Sequence, residues 1–227
     1  MWIGLVGSEM CIRDRLHVTG EALYTDDIGT PAGSLHAYVG VSQATHARIK
    51  NLNLDAVRNA PGVVCVLTAS DIPGSPDIGP VYAGDPLIAS DTVEFRGQIL
   101  FAVAAVSNKA ARRAARLAEI EYEMLPAVLD SQTGHELESY VRPMHCQRRG
   151  DAKAAIAEAP MKLEGAFQSG GQEQMYLEGQ VSLAIPDEDG KMLVYSSTQH
   201  PSEGQKLVAE VLNVPLSHVT VQVRRMG

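Results

Sequence analysis

The residues best suited to chemistry lie in one short stretch, Ser169-Gly170-Gly171-Gln172-Glu173-Gln174-Met175-Tyr176-Leu177-Glu178. Two adjacent glycines let a backbone come close to a neighbour or a ligand, because no Cβ stands in the way. Three polar side chains, Gln172, Glu173 and Gln174, follow at once and could hydrogen-bond whatever is bound. A bulged loop between two strands would look the same, and the residues alone do not choose. Chemistry is sparse elsewhere. His17, His36, His46, His135, His145, His200 and His218 share no i, i+4 spacing that would set two ligands on one helix face, so each reads as a surface or packed histidine. Glu119, Glu121 and Glu123 alternate along a predicted strand and read as a solvated face, as do Arg112, Arg113 and Arg116 on a predicted helix. Cys11, Cys65 and Cys146 form no Cys-x-x-Cys pair and have no iron–sulfur or zinc spacing. Isolated cysteines fit a reducing, cytoplasmic compartment, where they are packing residues. Any redox chemistry must then pass its electrons out through another chain.

The elements that would position this stretch follow from periodicity and turn residues. Leu35–Ser42 and Ile49–Leu54 alternate and predict strands. Asp55 suits the N-cap of a short helix ending before Pro61-Gly62, and Val63–Thr68 reads as a buried strand. Pro73–Pro86, rich in proline, glycine and aspartate, is a loop. Thr92–Phe95 is a short strand and Ile99–Val106 a buried one. Ser107 caps a helix over Asn108–Ala118, and Glu119–Tyr122 is the next strand. The strand–helix–strand run Ile99–Glu123 predicts a crossover between parallel neighbours. Leu129–Gly150, polar and weakly periodic, is the candidate linker between two domains, at 129–148. Asp151 caps a short alanine-rich helix. Strand-like runs come next at Met161–Gln168, Val181–Pro186 and Met192–Thr198, with a hairpin turn at Asp187–Gly190. Pro201 opens a helix whose apolar face is Leu207, Val208, Val211 and Leu212, and His218–Val223 is a last strand.

The composition of the 227 residues excludes some partners. A net charge of −8 argues against a nucleic-acid surface, which needs clustered Lys and Arg, and gives no reason to expect a membrane surface. No apolar run approaches the roughly 20 residues that span a bilayer. Met1–Arg15 has its basic residues after its apolar ones, the reverse of a signal peptide. Leu5–Arg15 reads as the translation of a common transposon-based sequencing adapter, so residues 1–15 are expected to be a disordered artefact with few contacts. The run Val221–Gly227 stops inside strand-like sequence, so a piece of a longer protein is expected.

Several ordered motifs carry a resemblance to a known family. Gly170–Glu178 resembles the Gly-Gly-Gln-Glu-His-Phe-Tyr-Leu-Glu signature of the xanthine dehydrogenase and aldehyde oxidase family. The likeness runs on through Ser196-Ser197-Thr198-Gln199-His200-Pro201-Ser202-Glu203 and into Val223-Arg224-Arg225-Met226-Gly227, which resembles the start of the family's Arg-Met-Gly-Gly-Gly-Phe-Gly-Gly-Lys-Glu motif. Upstream, Val18–Ile28 resembles the family's Val-Thr-Gly-x-Ala-x-Tyr-x-Asp-Asp-Ile opening, and Glu121–Ala127 another recurrent stretch. The wording leans towards the bacterial xanthine-oxidising branch.

The resemblance implies an α+β chain in which an α/β hammerhead domain at 16–128 precedes the truncated start of a molybdopterin-binding domain at 149–227. It implies the molybdenum–molybdopterin cofactor, with Gln172, Gly171 and Gly227 at the cofactor. Gln172 would not ligate the metal but would hydrogen-bond the apical oxo ligand, a task that suits a neutral amide. Gln174 and Met175 stand where the family has His and Phe, which puts local packing and substrate preference in question. The implied reaction hydroxylates purines, hypoxanthine and xanthine to urate, with water as the oxygen source. The implied partner is an iron–sulfur and FAD subunit carrying 2Fe-2S clusters, in a dimer of heterodimers. The family's catalytic base and most pterin-binding loops would lie beyond Gly227, so this chain alone is expected to be inactive and to hold no molybdopterin. Two other readings stay open: another molybdenum hydroxylase acting on aldehydes, N-heterocycles or carbon monoxide, and a free-standing, non-catalytic binding domain.

Overall fold

The computed structural model describes residues 15–176 and 178–225. The stretch 1–14, and with it Cys11 and all of the adapter-like sequence except Arg15, lies outside the described residues, as do Leu177, Met226 and Gly227; Arg15, expected to be disordered, is the first residue of a helical turn. The chain divides into two compact units, one formed by residues up to Leu125 together with those from 178 onward, the other by Pro126–Tyr176.

The larger unit opens with a helical turn over 15–19 (α1) and a 3₁₀ turn at Thr25–Asp27. Its strands are β1 (His36–Val41), β2 (Ala47–Asn53), β3 (Val63–Leu67), β4 (Thr92–Val93), β5 (Ile99–Ala105), β6 (Glu119–Met124), β7 (Ser182–Pro186), β8 (Met192–Ser196) and β9 (Val219–Gln222). They form three three-stranded sheets, ordered β1-β5-β3, β4-β2-β6 and β7-β8-β9. Three helices accompany them: α2 (Asp55–Arg58), α3 (Asn108–Ala115) and α6 (Pro201–Leu212).

The core is built on β5, the most continuously apolar strand. Leu100, Phe101, Val103 and Ala105 are fully buried, as are Ala111 and Ala114 on α3, which lies over β5 and β1. Alanines on that helix face let helix and sheet approach closely. Ser107 caps α3 as predicted, its Oγ accepting the Ala110 N–H at 3.2 Å. Cross-strand from Phe101 stands Gly40, and the aromatic ring occupies the space a side chain at 40 would need. In the second sheet, Arg48 pairs across from Glu123, whose carboxylate also takes Lys50 at 3.0 Å. Those contacts, the Lys50 hydrogen bond first, hold the Glu123 carboxyl below its ordinary range.

Several expectations need correction. Val63–Thr68 is not a buried strand. β3 is a sheet edge with Val64 58% exposed and Cys65 exposed, because only Val63 and Val66 turn towards the core. Cys65 and Cys146 are exposed rather than packed. The run Ile99–Glu123 is not a crossover between parallel neighbours: β5 is flanked by two antiparallel strands, and β6 pairs with β2 in another sheet. The parallel crossover is instead β8–α6–β9. Asp55 is the first residue of α2 rather than its cap; Leu54 holds the cap position and Asn53 Oδ1 accepts the Asp55 N–H. On α6, Val208 and Ala209 pack against Val194 and Val219, while Leu212 is 37% exposed.

In the smaller unit the predicted linker contains a helix, α4 (Ser131–Glu136), capped by Asp130, whose carboxylate takes the Thr133 N–H at 2.8 Å. Helix α5 (Ala152–Glu158) is capped by Asp151. Met161–Gln168 forms no strand, and Met161, Leu163 and Phe167 are almost fully exposed. Alternation sets two faces, but a strand forms only where another strand satisfies its N–H and C=O groups, and no described strand pairs here.

Candidate functional site

The chain reaches the candidate site through a stretch without regular structure. Gly170, Gly171, Gln172, Glu173, Gln174 and Met175 are all exposed. A Cβ added at Gly170 or Gly171 would meet nothing within 4 Å, so neither glycine is used here for a close approach. Gly227, the third predicted cofactor contact, lies outside the described residues.

From residue 178 onward the motifs converge. β7 runs antiparallel to β8, and β8 parallel to β9. The start of β7 and the ends of β8 and β9 therefore lie on one side of the sheet. Residues 178–181 enter β7 there, 196–203 leave β8 there, and 223–225 leave β9 there. Ser197 joins the first two: its Oγ accepts the Val181 N–H at 2.9 Å and donates to the Gly179 carbonyl at 2.8 Å. The Ser182 and Ser196 hydroxyls are 3.0 Å apart. His200 caps α6 through Nδ1, which accepts the Glu203 N–H at 3.2 Å, with Pro201 in the first turn as predicted. At the third strand end the Arg224 guanidinium lies over the Tyr195 ring, 5.5 Å from its centroid. Arg225 Nε is buried with no acceptor among the described residues.

A fourth motif joins them. The backbone N–H of Thr25, in the opening Tyr-Thr-Asp-Asp-Ile stretch, donates to Glu178 Oε1 at 2.8 Å. Sequence reasoning missed Glu178, Ser197 and Arg225. Glu178 and Ser197 work through partners far away in sequence. One other carboxylate stands out, that of Asp77, whose oxygens accept the N–H groups of Gly79, Gly84 and Asp85. Those bonds, Gly79 first, hold its carboxyl below the ordinary range, and its role is to shape the Pro73–Pro86 loop. The large cleft lined by Pro73, Asp77, Lys206, Glu210 and Asn213 opens at the C-terminal half of α6, away from the motifs at that helix's start.

Among the described residues no three His, Cys, Asp or Glu side chains come together to hold a metal. Among the described residues the Nε–H of Arg225 is a buried donor without an acceptor, a group matched to an anionic oxygen. No helix of the described residues is long and apolar enough to cross a membrane.

Residues 19–126 match the family model "Aldehyde oxidase and xanthine dehydrogenase, a/b hammerhead domain", and residues 134–227 match "Molybdopterin cofactor-binding domain". The chain belongs to the xanthine dehydrogenase and aldehyde oxidase family. It is 36% identical to the xanthine dehydrogenase/oxidase of Gallus gallus over 209 residues, which is 92% of this chain and 15% of that protein. Among solved structures, the aldehyde oxidoreductase of Desulfovibrio gigas superposes with a TM-score of 0.79 at 23% identity, covering 92% of this chain and 25% of that one. Quinoline 2-oxidoreductase of Pseudomonas putida 86 gives 0.78 at 25% identity, over 92% and 29%. The chain is an α+β member of this family of molybdenum hydroxylases, and spans about one sixth of the length of its curated relatives.

Proposed function

We propose that this chain is part of the molybdenum-cofactor subunit of an enzyme that hydroxylates purines, converting hypoxanthine and xanthine to urate with water as the oxygen source. The observation that carries this reading is the convergence of four motif segments on one end of the β7-β8-β9 sheet. The identity to xanthine dehydrogenases supports the choice of purines over other substrates. The cofactor supplies the redox-active metal centre; FAD and 2Fe-2S clusters on a partner subunit would take up the electrons. We assign 16–128 to the hammerhead and 149–227 to the start of the cofactor-binding domain.

In this reading each residue has a plain task. Gln172 donates its amide N–H to an oxygen of the cofactor, and a neutral donor does so without adding charge. Gly171 and Gly227 leave backbone free to approach the cofactor. Arg225 offers Nε–H to an anionic oxygen. A preorganised donor matters most where charge grows during reaction, and losing one typically costs about 2.7–4 kcal/mol. The loss at Gln172 should be smaller, because an oxo-type oxygen gains only part of a charge.

The test is steady-state kinetics of Gln172→Ala and Gln172→Glu in the full-length complex, with molybdenum measured by elemental analysis. Turnover should fall more than substrate affinity. An Ala variant with full molybdenum and wild-type turnover would refute the role of Gln172. Xanthine, an aliphatic aldehyde and quinoline should be assayed side by side; preference for either of the last two overturns the purine assignment.

A further inference from the structure

We infer that residues 161–168 are a β-strand whose partner strand lies in the part of the full-length subunit that this chain does not span. This rests on the reading of the chain as part of a longer subunit, and not on the purine assignment or on the role given to Gln172.

The segment reads Met-Lys-Leu-Glu-Gly-Ala-Phe-Gln. Extended backbone points successive side chains to opposite faces, so Met161, Leu163 and Phe167 share one face with Gly165, while Lys162, Glu164 and Gln168 share the other with Ala166. A helix could not gather the same three, because it sets residues two apart on different sides, and Gly165 would weaken its centre. Met161, Leu163 and Phe167 are 89, 100 and 93% exposed. Among the described residues, no backbone N–H or C=O of 161–168 bonds to another backbone group, and none of the strands pairs with the segment. Strand β7 shows such a pattern satisfied. It pairs with β8, and its Leu183 and Ile185 are half-buried while Ser182 and Ala184 are exposed.

The chemistry of the partner follows from the two faces. It must present a strand edge that takes the N–H and C=O groups, and an apolar layer that covers Met161, Leu163 and Phe167, while Lys162, Glu164 and Gln168 stay in water. Even at the roughly 150–250 Å² of an aromatic apiece, three such side chains bury less than the roughly 800 Å² per partner of a stable interface between separate chains. A strand of the same polypeptide needs no such area, because no freedom of a second molecule is lost. The segment lies inside the match to the cofactor-binding domain, residues 134–227, and the chain spans only 15% of the Gallus gallus relative. Most of the relatives' polypeptide, and with it most of the candidate strands, lies outside the region this chain matches.

Hydrogen exchange of 161–168 is measured by mass spectrometry in the full-length complex and in the 227-residue chain alone, each at low and at high protein concentration. Strand β5, at the centre of the core, is the folded reference in every sample. Three variants of the full-length complex are compared. Leu163→Ala and Phe167→Ala remove apolar contacts from the inner face, and Glu164→Thr changes the outer face while keeping a good strand former.

In the full-length complex 161–168 should exchange about a hundredfold more slowly than a free chain, and in the chain alone close to the free-chain rate, with β5 slow in both. Leu163→Ala and Phe167→Ala should each remove about tenfold or more of that protection, and Glu164→Thr less than about twofold. Fast exchange in the full-length complex overturns the inference. So does protection already present in the chain alone at low concentration, which puts the partner strand inside it. Protection that rises with concentration overturns it too, since the partner is then a second copy. Equal losses in Leu163→Ala and Glu164→Thr overturn the assignment of faces. The substrate and Gln172 assays given above are read on turnover, so either can fail while the exchange result stands.

Discussion

Substituting Gly40 by Ala tests the packing on which the hammerhead region depends. Gly40 is buried on β1, directly opposite Phe101 of β5, and Phe101 is 1% exposed. A Cβ at 40 would lie 2.6 Å from Phe101 Cε2 and would overlap Cζ and Cε1. Carbon atoms pack best at about 3.5–4.0 Å, so the ring must retreat by about 1.5 Å into a core with no slack. Overpacking of this kind costs about 1–3 kcal/mol. Working against it, replacing glycine by alanine stabilises by about 0.4–1 kcal/mol where the backbone tolerates it, through the unfolded chain. Gly40 has no left-handed φ, so this gain applies. The clash wins, and the net expectation is a loss of about 1–2 kcal/mol. For a chain of this size that lowers Tm by roughly 2–8 °C. The assay is urea denaturation of wild type, Gly40→Ala, Phe101→Leu and the double variant. Shortening the aromatic side chain gives the new methyl room, so the double variant should be more stable than the sum of the singles by about 0.5 kcal/mol or more. A Gly40→Ala variant as stable as wild type, with an additive cycle, would refute the reasoning.

Two further predictions concern capping and charge. Ser107→Ala removes the oxygen that takes the Ala110 N–H at the start of α3, and should cost about 1 kcal/mol by the same denaturation assay, with Ser107→Asp close to wild type. Asp77 accepts three backbone N–H groups, which hold its carboxyl below the ordinary value of 3.8. A depressed folded value means that its contribution is full above 3.8 and is lost as pH falls through the lower folded value. An NMR titration of the Asp77 carboxyl carbon should therefore show a midpoint below 3.8, and a midpoint at or above it contradicts the assigned bonds.

How far the fold could be read from sequence depended on the range of the forces involved. β5 and α3 were legible because their signals are local: an unbroken apolar run, a serine cap, alanines on one helix face. The hairpin at Asp187–Gly190 was legible too, since residues able to take positive φ cluster there, and Asp189 and Gly190 do take it. Sheet membership was not. β3 has the composition of a buried strand but sits at an edge, and β6 belongs with β2, where Ile49 stands across from Tyr122 and Leu52 across from Ile120, all four packed against the core. Both facts depend on partners distant in sequence. Met161–Gln168 shows the converse, a strand-like alternation without a described strand to pair with.

The candidate site divides along the same line. Gln172 was singled out by a family signature, and Gly170 and Gly171 by their lack of a side chain. Neither could reveal why three separate motifs belong together. The reason lies in the crossover, expected at Ile99–Glu123 and found instead at β8–α6–β9. Two parallel neighbours joined by a helix must end on the same side of their sheet, so the segments leaving β8 and β9 meet there whatever their distance in sequence. That is also the side on which open α/β sheets bind ligands, outside the carboxyl ends of their strands. An antiparallel β7 then begins where the other two end, which brings Glu178 to the same place. There the Glu178 carboxylate takes the Thr25 N–H, so one hydrogen bond adds the opening motif to the other three. The meeting of these motifs therefore rests on sheet topology rather than on their order along the chain.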